Sequence, residues 1–322
     1  MLLKIMTSMR CPSLNELLPS PPGKTGWPWT EESELLPDAM PDGAPWPKIS
    51  IVTPSFNQGQ FIEETIRSVL LQGYPNLEYI IMDGGSTDAS VDIIRKYELW
   101  LTYWVSESDR GQADAIGKGF DKATGARLGW INSDDLLMPG ALFTVAVLHK
   151  FFPQSLIAGS VSNFHVDSGQ VDIIRQRNIT LKVLLRLWER STCWHQPGLF
   201  FPRSAYQMVG GLDRSLRYTM DHDLLCRLLR MNIPVIYTDQ VLARFRLHAA
   251  SKTMAENTKM VLEAYQVSGR YWHLLGDSYR YYAFRMLAHL MLRAAKWLLR
   301  GEWDVAMHSL KGGIKLFMRR KE

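Results

Sequence analysis

The chain has 322 residues, of which 46% are hydrophobic and 21% charged, with a formal net charge of +5. That length allows one large or two modest domains with a sizeable core. The charge is too uneven for a nucleic-acid binder, because ten Lys/Arg face three Asp/Glu from Tyr279 to Glu322 and the remainder sums to −2.

Three cysteines without a Cys-x-x-Cys pair argue against a disulfide framework or a zinc site and fit a reducing, cytoplasmic compartment. No uninterrupted apolar run reaches the about 18 residues of a membrane span, and Met1 to Met9 is too short and broken for a secretory signal. Residues 1–47 hold nine of the sixteen prolines, which cannot continue a helix or a central strand. The segment reads as an irregular leader that wraps a domain through Trp27, Trp29 and Trp46; plain disorder is the alternative.

From Lys48 the pattern becomes regular. Lys48–Thr53 reads as a buried strand ending at Pro54, and Pro54–Gly59 as a loop. A helix is expected over about 61–71, closed by Gly73. Leu77–Met82 is a second strand, followed by Asp83-Gly-Gly-Ser-Thr-Asp88 and a helix over about 89–100. A short strand at 103–106 leads into Asp109-Arg-Gly-Gln-Ala-Asp114 and a helix to about 123. Leu128–Ile131 is then a strand ending in Asn132-Ser-Asp-Asp135. This alternation implies βαβ units and a mostly parallel sheet, with ligands bound beyond the carboxyl ends of the strands. Four polar or Gly-rich loops fall there, at 54–59, 83–88, 107–114 and 132–135.

Asp134 and Asp135 are adjacent carboxylates at a strand tip, where mutual repulsion and partial burial call for compensating positive charge. A divalent cation with oxygen ligands, Mn²⁺ or Mg²⁺, supplies it most simply; a helix N-cap is the structural alternative. No Gly-x-Gly-x-x-Gly follows the first strand and no P-loop occurs, which disfavours dinucleotide and P-loop readings.

Ile51-Val-Thr-Pro-Ser-Phe-Asn57, Met82-Asp-Gly-Gly-Ser-Thr-Asp88, Asp109-Arg-Gly-Gln-Ala-Asp114 and Asn132-Ser-Asp-Asp135 together resemble, in order and spacing, the family 2 glycosyltransferases. Those are inverting enzymes of the GT-A fold. The resemblance implies a GT-A, Rossmann-like α/β domain over 48–250, a mostly parallel sheet flanked by helices; the pattern beyond it reads as a helical, basic C-terminal extension over 251–322. It also implies a nucleoside diphosphate-sugar donor and a hydroxyl acceptor, saccharide or lipid-linked.

Residue by residue, Pro54, Ser55 and Asn57 would line the nucleotide base, Asp83 would take base or ribose, and Arg110 would approach the diphosphate. Asp134 and Asp135 would stand at the Asp-x-Asp position, meeting ribose and metal respectively. The sequence departs from the pattern at Gly84, where a second Asp is frequent. It departs again at Asn132, where Asp is common, and at Gly117, where Asn often stands.

In the second half, Tyr218-Thr-Met-Asp-His-Asp223 opens an apolar helix. Asp221 matches the family's general-base position, with Met220 where Glu is frequent. Displacement at an anomeric carbon needs such a group to take the hydroxyl proton, while Asp223 reads as a helix cap. In Arg244-Phe-Arg-Leu-His248, the resemblance makes His248 a third candidate ligand for metal or diphosphate, and Arg246 a phosphate partner.

The tail reads as helices over about 257–275, 278–300 and 302–318. Arg285, His289, Arg293, Lys296 and Arg300 fall within an arc of roughly 80° at 100° per residue, with Leu287, Met291, Ala294 and Leu298 opposite. Such a helix either lies on an anionic membrane surface, which would make the protein peripheral there, or packs with its charged face in water. The functional reading is a metal-dependent glycosyltransferase of cell-surface polysaccharide or glycolipid assembly. The rival is a catalytically inactive nucleotide-sugar-binding regulator or subunit, to which Met220 and Asn132 lend weight.

Overall fold

The computed structural model describes residues 10–188, 194–248, 257–276 and 279–318. Its nucleus is the βα alternation expected from the sequence. Strand β1 (Ile49–Ser55) leads to helix α1 (Ile62–Leu70), β2 (Leu77–Asp83) to α2 (Ser90–Lys96), β3 (Tyr103–Ser106) to α3 (Gln112–Lys122), and then comes β4 (Arg127–Trp130). β1 and β2 are buried along their whole length, as β-branched and aromatic runs with helices on both faces should be.

Further on lie β5 (Leu136–Leu137), α4 (Ala141–Phe151), β6 (Leu156–His165), β7 (Val171–Ile174), β8 (Leu199–Pro202), α6 (Arg203–Met208) and β9 (Val235–Leu247). The sheet runs β3-β2-β1-β4-β8-β6-β9-β5, with β7 paired to β6. The first four strands are parallel throughout, as are β6 and β9. β8 joins antiparallel to both β4 and β6, and β5 antiparallel to β9. This is the GT-A type of α/β sheet.

Because β1 to β4 are parallel, the segments that follow them emerge at one edge: 56–61, 84–89, 107–111 and 131–135. β9 is the element whose extent was least legible. It runs thirteen residues, Val235–Leu247, and pairs along β6 with register shifts at Gly159–Val161.

The leader is ordered over its described residues. Trp29 and Trp46 are buried, and the Trp27 indole donates to the Leu137 carbonyl at 2.8 Å. Its principal anchor is Arg67 of α1, only 1% exposed. The Arg67 guanidinium donates to the carbonyls of Leu18, Pro28 and Trp29 and lies 5.4 Å from the Trp29 ring. Gly73, at φ +63°, lets the leader come close: a Cβ there would stand 2.1 Å from the Glu34 carbonyl oxygen.

The chain divides into two compact units. One takes in Met1–Gln176, Trp194–Ser215 and Ile233–Leu247, and the other Arg177–Cys193, Leu216–Asn232 and His248–Glu322. The second therefore joins helices α5 (Leu181–Leu185) and α7 (Met220–Arg230) to the C-terminal helices α8 (Asn257–Ser268), α9 (Tyr279–Leu299) and α10 (Trp303–Met318). The linear boundaries at 47/48 and 250/251 do not coincide with this division. Leu262, Tyr265, Tyr282, Met286 and Leu290 form the apolar core of the second unit.

Candidate functional site

At the edge of the parallel sheet, the side chains that end β1 and β2 are turned inward. Ser55 closes β1 with its side chain buried, and its Oγ has no hydrogen-bond partner among the described residues. Pro54 beside it is buried in the strand. Asn57, left-handed at φ 51°, accepts the Thr87 N–H on its Oδ1 at 2.9 Å, and its own N–H donates to Ser86 Oγ. It therefore braces the first loop against the second.

Asp83 is 2% exposed, and its carboxylate accepts from the N–H groups of Gly85 and Ser86 and the hydroxyls of Ser86 and Ser106. Three of these donors converge on Oδ2 and only the Ser86 hydroxyl reaches Oδ1, so Oδ1 keeps acceptor capacity for a base or ribose hydroxyl. Gly84 has a local reason: a Cβ there would stand 2.7 Å from Asp109 Oδ2. Asp109 thus occupies the space that a second Asp side chain would need.

Arg110 is three-quarters exposed, and its guanidinium pairs with Asp114 at 3.1 Å. Asp114 is buried and also faces Lys118 and Arg214, at 3.6 and 3.8 Å; the Arg110 hydrogen bond foremost holds its pKa below the usual range. Gly117, in the next turn of α3, is the counterpart of Arg214, whose Nε lies 2.4 Å from where a Cβ would be. A larger residue there would displace Arg214.

The loop after β4 is clamped from three sides. Thr65 of α1 donates through Oγ1 to the carbonyls of Ser133 and Asp135, at 2.9 and 2.8 Å. The Arg246 backbone N–H, from β9, donates to Asp135 Oδ1 at 2.9 Å, and the Asn132 amide to Oδ2 at 3.1 Å. Gln112 of α3 in turn donates to Asn132 Oδ1 at 2.8 Å. An Asp at 132 would lack the amide N–H that Asp135 receives.

Asp135 is fully buried, and burial foremost, with the Asp134 charge second, pushes its pKa well up. Asp134 is only half-buried. The Arg246 side chain donates to the Asp134 carbonyl and to Glu64 Oε2, both at 2.9 Å, and covers the Phe61 ring.

Among the described residues no three His, Cys, Asp or Glu side chains converge as a preformed metal cage. The donor set at Asp134–Asp135 nonetheless fits a hard divalent cation. It offers carboxylate oxygens, one of them desolvated and short of positive charge, and Mg²⁺-type ions are commonly held by one or two carboxylates completed by substrate phosphates.

In the second unit, Asp221 lies in the first turn of α7. It keeps some accessible surface, but protein surrounds its carboxyl closely. Desolvation pushes its pKa up to about 6; the His222 N–H at 2.8 Å opposes the rise and the Glu263 charge adds to it. Asp223 is fully buried and ion-paired with Arg227 and Arg270, at 2.7 and 3.1 Å, in place of the helix cap expected from the sequence.

Sequence reasoning missed Glu263. From α8 its carboxylate accepts the backbone N–H groups of Arg217, Tyr218 and Thr219 and the Thr219 hydroxyl, fixing the turn that presents Asp221. No local signal links positions so far apart in the chain. His248 is half-buried and ends the described stretch before 249–256.

A four-strand parallel edge with polar loops and a clamped Asp-Asp tip defines a GT-A nucleotide-sugar-type fold, and the comparisons agree. The family model "Glycosyl transferase family 2" matches residues 50–205. An uncharacterized glycosyltransferase of Mycobacterium tuberculosis is 31% identical over 193 residues, 59% of this chain and 71% of its own. One of Rickettsia typhi is 29% identical over 217 residues, covering 64% of this chain and 66% of its own length. A putative teichuronic acid biosynthesis glycosyltransferase of Bacillus subtilis is 38% identical over 94 residues, 28% of this chain and 36% of its own.

Two solved structures share the fold. S. aureus TarS 1–349 in complex with UDP-GlcNAc has a TM-score of 0.57 at 14% identity, over 85% of this chain and 82% of its own. A Pyrobaculum calidifontis mannosyltransferase with GDP-Man and Mn²⁺ has a TM-score of 0.53 at 18% identity, over 93% and 92%. The chain belongs to the family 2 glycosyltransferases.

Proposed function

We propose that the protein is an inverting glycosyltransferase that moves a sugar from a nucleoside diphosphate donor to a hydroxyl of a saccharide or lipid-linked acceptor, in assembly of a cell-surface polysaccharide or glycolipid. The observation that carries this reading is the convergence of four motif loops on one edge of the parallel sheet, ending in the clamped Asp134–Asp135 tip. The teichuronic acid relative and TarS, whose complexes hold UDP and UDP-GlcNAc, support the polysaccharide and donor classes.

In this reading Pro54, Ser55 and Asn57 border the base, and the unpartnered Ser55 hydroxyl donates to the nucleotide. Asp83 shapes the adjoining loop and meets base or ribose through Oδ1, which accepts a single internal bond. Arg110, exposed and held at one end by Asp114, turns its remaining N–H groups to the diphosphate. Asp134 meets the ribose. Asp135 holds Mn²⁺ or Mg²⁺, with Asp134 beside it and His248 as a further ligand. When bound there, such an ion would supply positive charge to the departing diphosphate.

Asp221 acts as general base. A pKa near 6 leaves it ionised at neutral pH yet more basic than an ordinary carboxylate, which favours removal of the acceptor hydroxyl proton as the new bond forms. Glu263 is its positioning residue.

The test is a thermal-shift panel of UDP-, GDP- and dTDP-sugars with and without Mn²⁺, followed by release of nucleoside diphosphate in the presence of acceptor. A donor that binds the folded state raises the melting temperature by mass action. Binding without turnover under any acceptor or metal condition would instead favour the inactive regulator.

A further inference from the structure

The outer face of α9 is not the face its sequence suggests. Of the expected basic stripe, His289 turns inward to hydrogen-bond the Tyr265 hydroxyl, and Arg293 is half-buried, with desolvation lowering its pKa. Tyr282, Met286 and Leu290 form the buried side with Leu262 and Tyr265 of α8. The opposite side should then be polar, and it is not: Phe284 is 66% exposed, Met291 54%, Leu292 67% and Leu299 89%.

At 100° per residue these four fall within an arc of roughly 100°. Arg280 borders it on one side, Arg285 and Lys296 on the other, with Arg300 beyond. α10 repeats the pattern, with Trp303, Met307 and Ile314 exposed at positions i, i+4 and i+11 and Lys311 beside them. From Tyr279 to Arg300 there are five Lys/Arg and no Asp or Glu; the acids nearby are Glu302 and Asp304 at the start of α10.

A contiguous apolar arc left to solvent marks a surface that something covers, and the bordering charge says what. A second copy would bring the same cations against these, which disfavours self-association. An anionic surface with an apolar interior satisfies both features at once. We propose that α9 and α10 dock this face on an anionic lipid bilayer, the apolar arc among the upper acyl segments and the bordering Arg and Lys at the phosphate level. Trp303, an aromatic ring with a polar N–H, suits that boundary. No described helix is long and apolar enough to cross a membrane, so attachment is in the interface plane. The inference rests on α9 and α10 alone and stands whether or not the transfer reaction is as proposed.

Co-sedimentation of the full chain with phosphatidylglycerol-containing and pure phosphatidylcholine vesicles tests it, using two variants. The wild type should sediment with the anionic vesicles, less with neutral ones, and lose binding as salt is raised. Phe284→Asp with Leu292→Asp should abolish it. Arg285→Glu with Lys296→Glu and Arg300→Glu should weaken it at least roughly a hundredfold, at about 1 kcal/mol for each cation. Unchanged circular dichroism and donor-induced thermal shift show that both variants fold; should the Asp pair unfold, the charge reversal, confined to exposed positions, decides alone. A wild type that ignores anionic vesicles at low salt overturns the proposal. So does a charge-reversed variant that binds undiminished, or a lipid-free dimer that the Phe284→Asp, Leu292→Asp variant converts to monomer.

Discussion

Asp221 and Asp135 are both carboxyls whose pKa values are raised foremost by burial, with a neighbouring carboxylate adding to the rise. Around Asp221 the main effect is desolvation, with Glu263 adding charge repulsion. Asp221→Asn keeps shape and capping ability but cannot take a proton, so turnover should fall by ~10²- to 10⁴-fold with donor thermal shift retained. In the wild type, kcat/KM should decline as pH falls through about 6, the value to which Asp221 is raised. Glu263→Gln removes a negative charge that pushes this pKa up, so the acid limb should move to lower pH. A merely structural Glu263 would lower the melting temperature without moving the limb. At the metal tip, Asp135→Ala should abolish turnover, but it also strips the acceptor from the buried Arg246 N–H, which costs about 1–3 kcal/mol. Asp134→Asn leaves that bond in place: melting temperature should hold and donor affinity should fall through the lost ribose contact, with its Mn²⁺ dependence kept. Full activity in EDTA would rule out the metal role.

At the scale of elements, the leader and α1 form one structural piece. Arg67 satisfies three leader carbonyls from inside α1, while Ser68 and Thr65 of the same helix hold the Leu137 N–H and the acidic loop. The leader reaches the same place from outside, through Trp27 to Leu137 and Ser33 to the Gly140 N–H. Arg67→Ala would leave buried carbonyls without donors and should destabilise the protein by roughly 3 kcal/mol or more. Urea denaturation would measure this, and limited proteolysis should then cut first within 10–47. A leader that stays resistant would show that its apolar packing alone, through Trp29 and Trp46, holds it.

At the scale of the whole molecule, two buried groups set opposing pH dependences. His222 is neutral in the fold with its pKa lowered to about 4 by desolvation, below the unfolded value of 6.5. Between those values the unfolded chain binds more protons, so stability is full above pH 6.5 and is lost as pH falls toward 4. Asp221 acts in reverse: its folded pKa of about 6 exceeds the 3.8 of the unfolded chain, so stability falls as pH rises through that window and stays lower above it. Asp221→Asn should therefore be more stable than wild type at neutral pH, by up to about 3 kcal/mol at 1.36 kcal/mol per unit, with the advantage gone below pH 4. Melting curves at neutral and acid pH check this. A variant less stable at both would show that the carboxylate's bond to the His222 N–H outweighs its desolvation.

The sequence by itself determined the βα alternation, the four loops at one sheet edge and the family. These are short-range facts: strand and helix periods, turn residues, and motifs that sit where a parallel sheet must place them. For the Pro-rich leader it left two readings open, a wrap held by three Trp and plain disorder. Only the tertiary structure decided which way the side chains face. Asp135 is buried because a strand 111 residues later donates to it. Asp83 is held by its own loop and by Ser106 from the next strand. Arg246 turns to Glu64 rather than outward, Glu263 holds the turn before Asp221, and His289 of α9 turns to Tyr265 while its apolar side faces water. A helical period gives the angles between residues on a helix but not which angle meets the core. That orientation is set by what packs against the helix, and the partners come from distant parts of the chain.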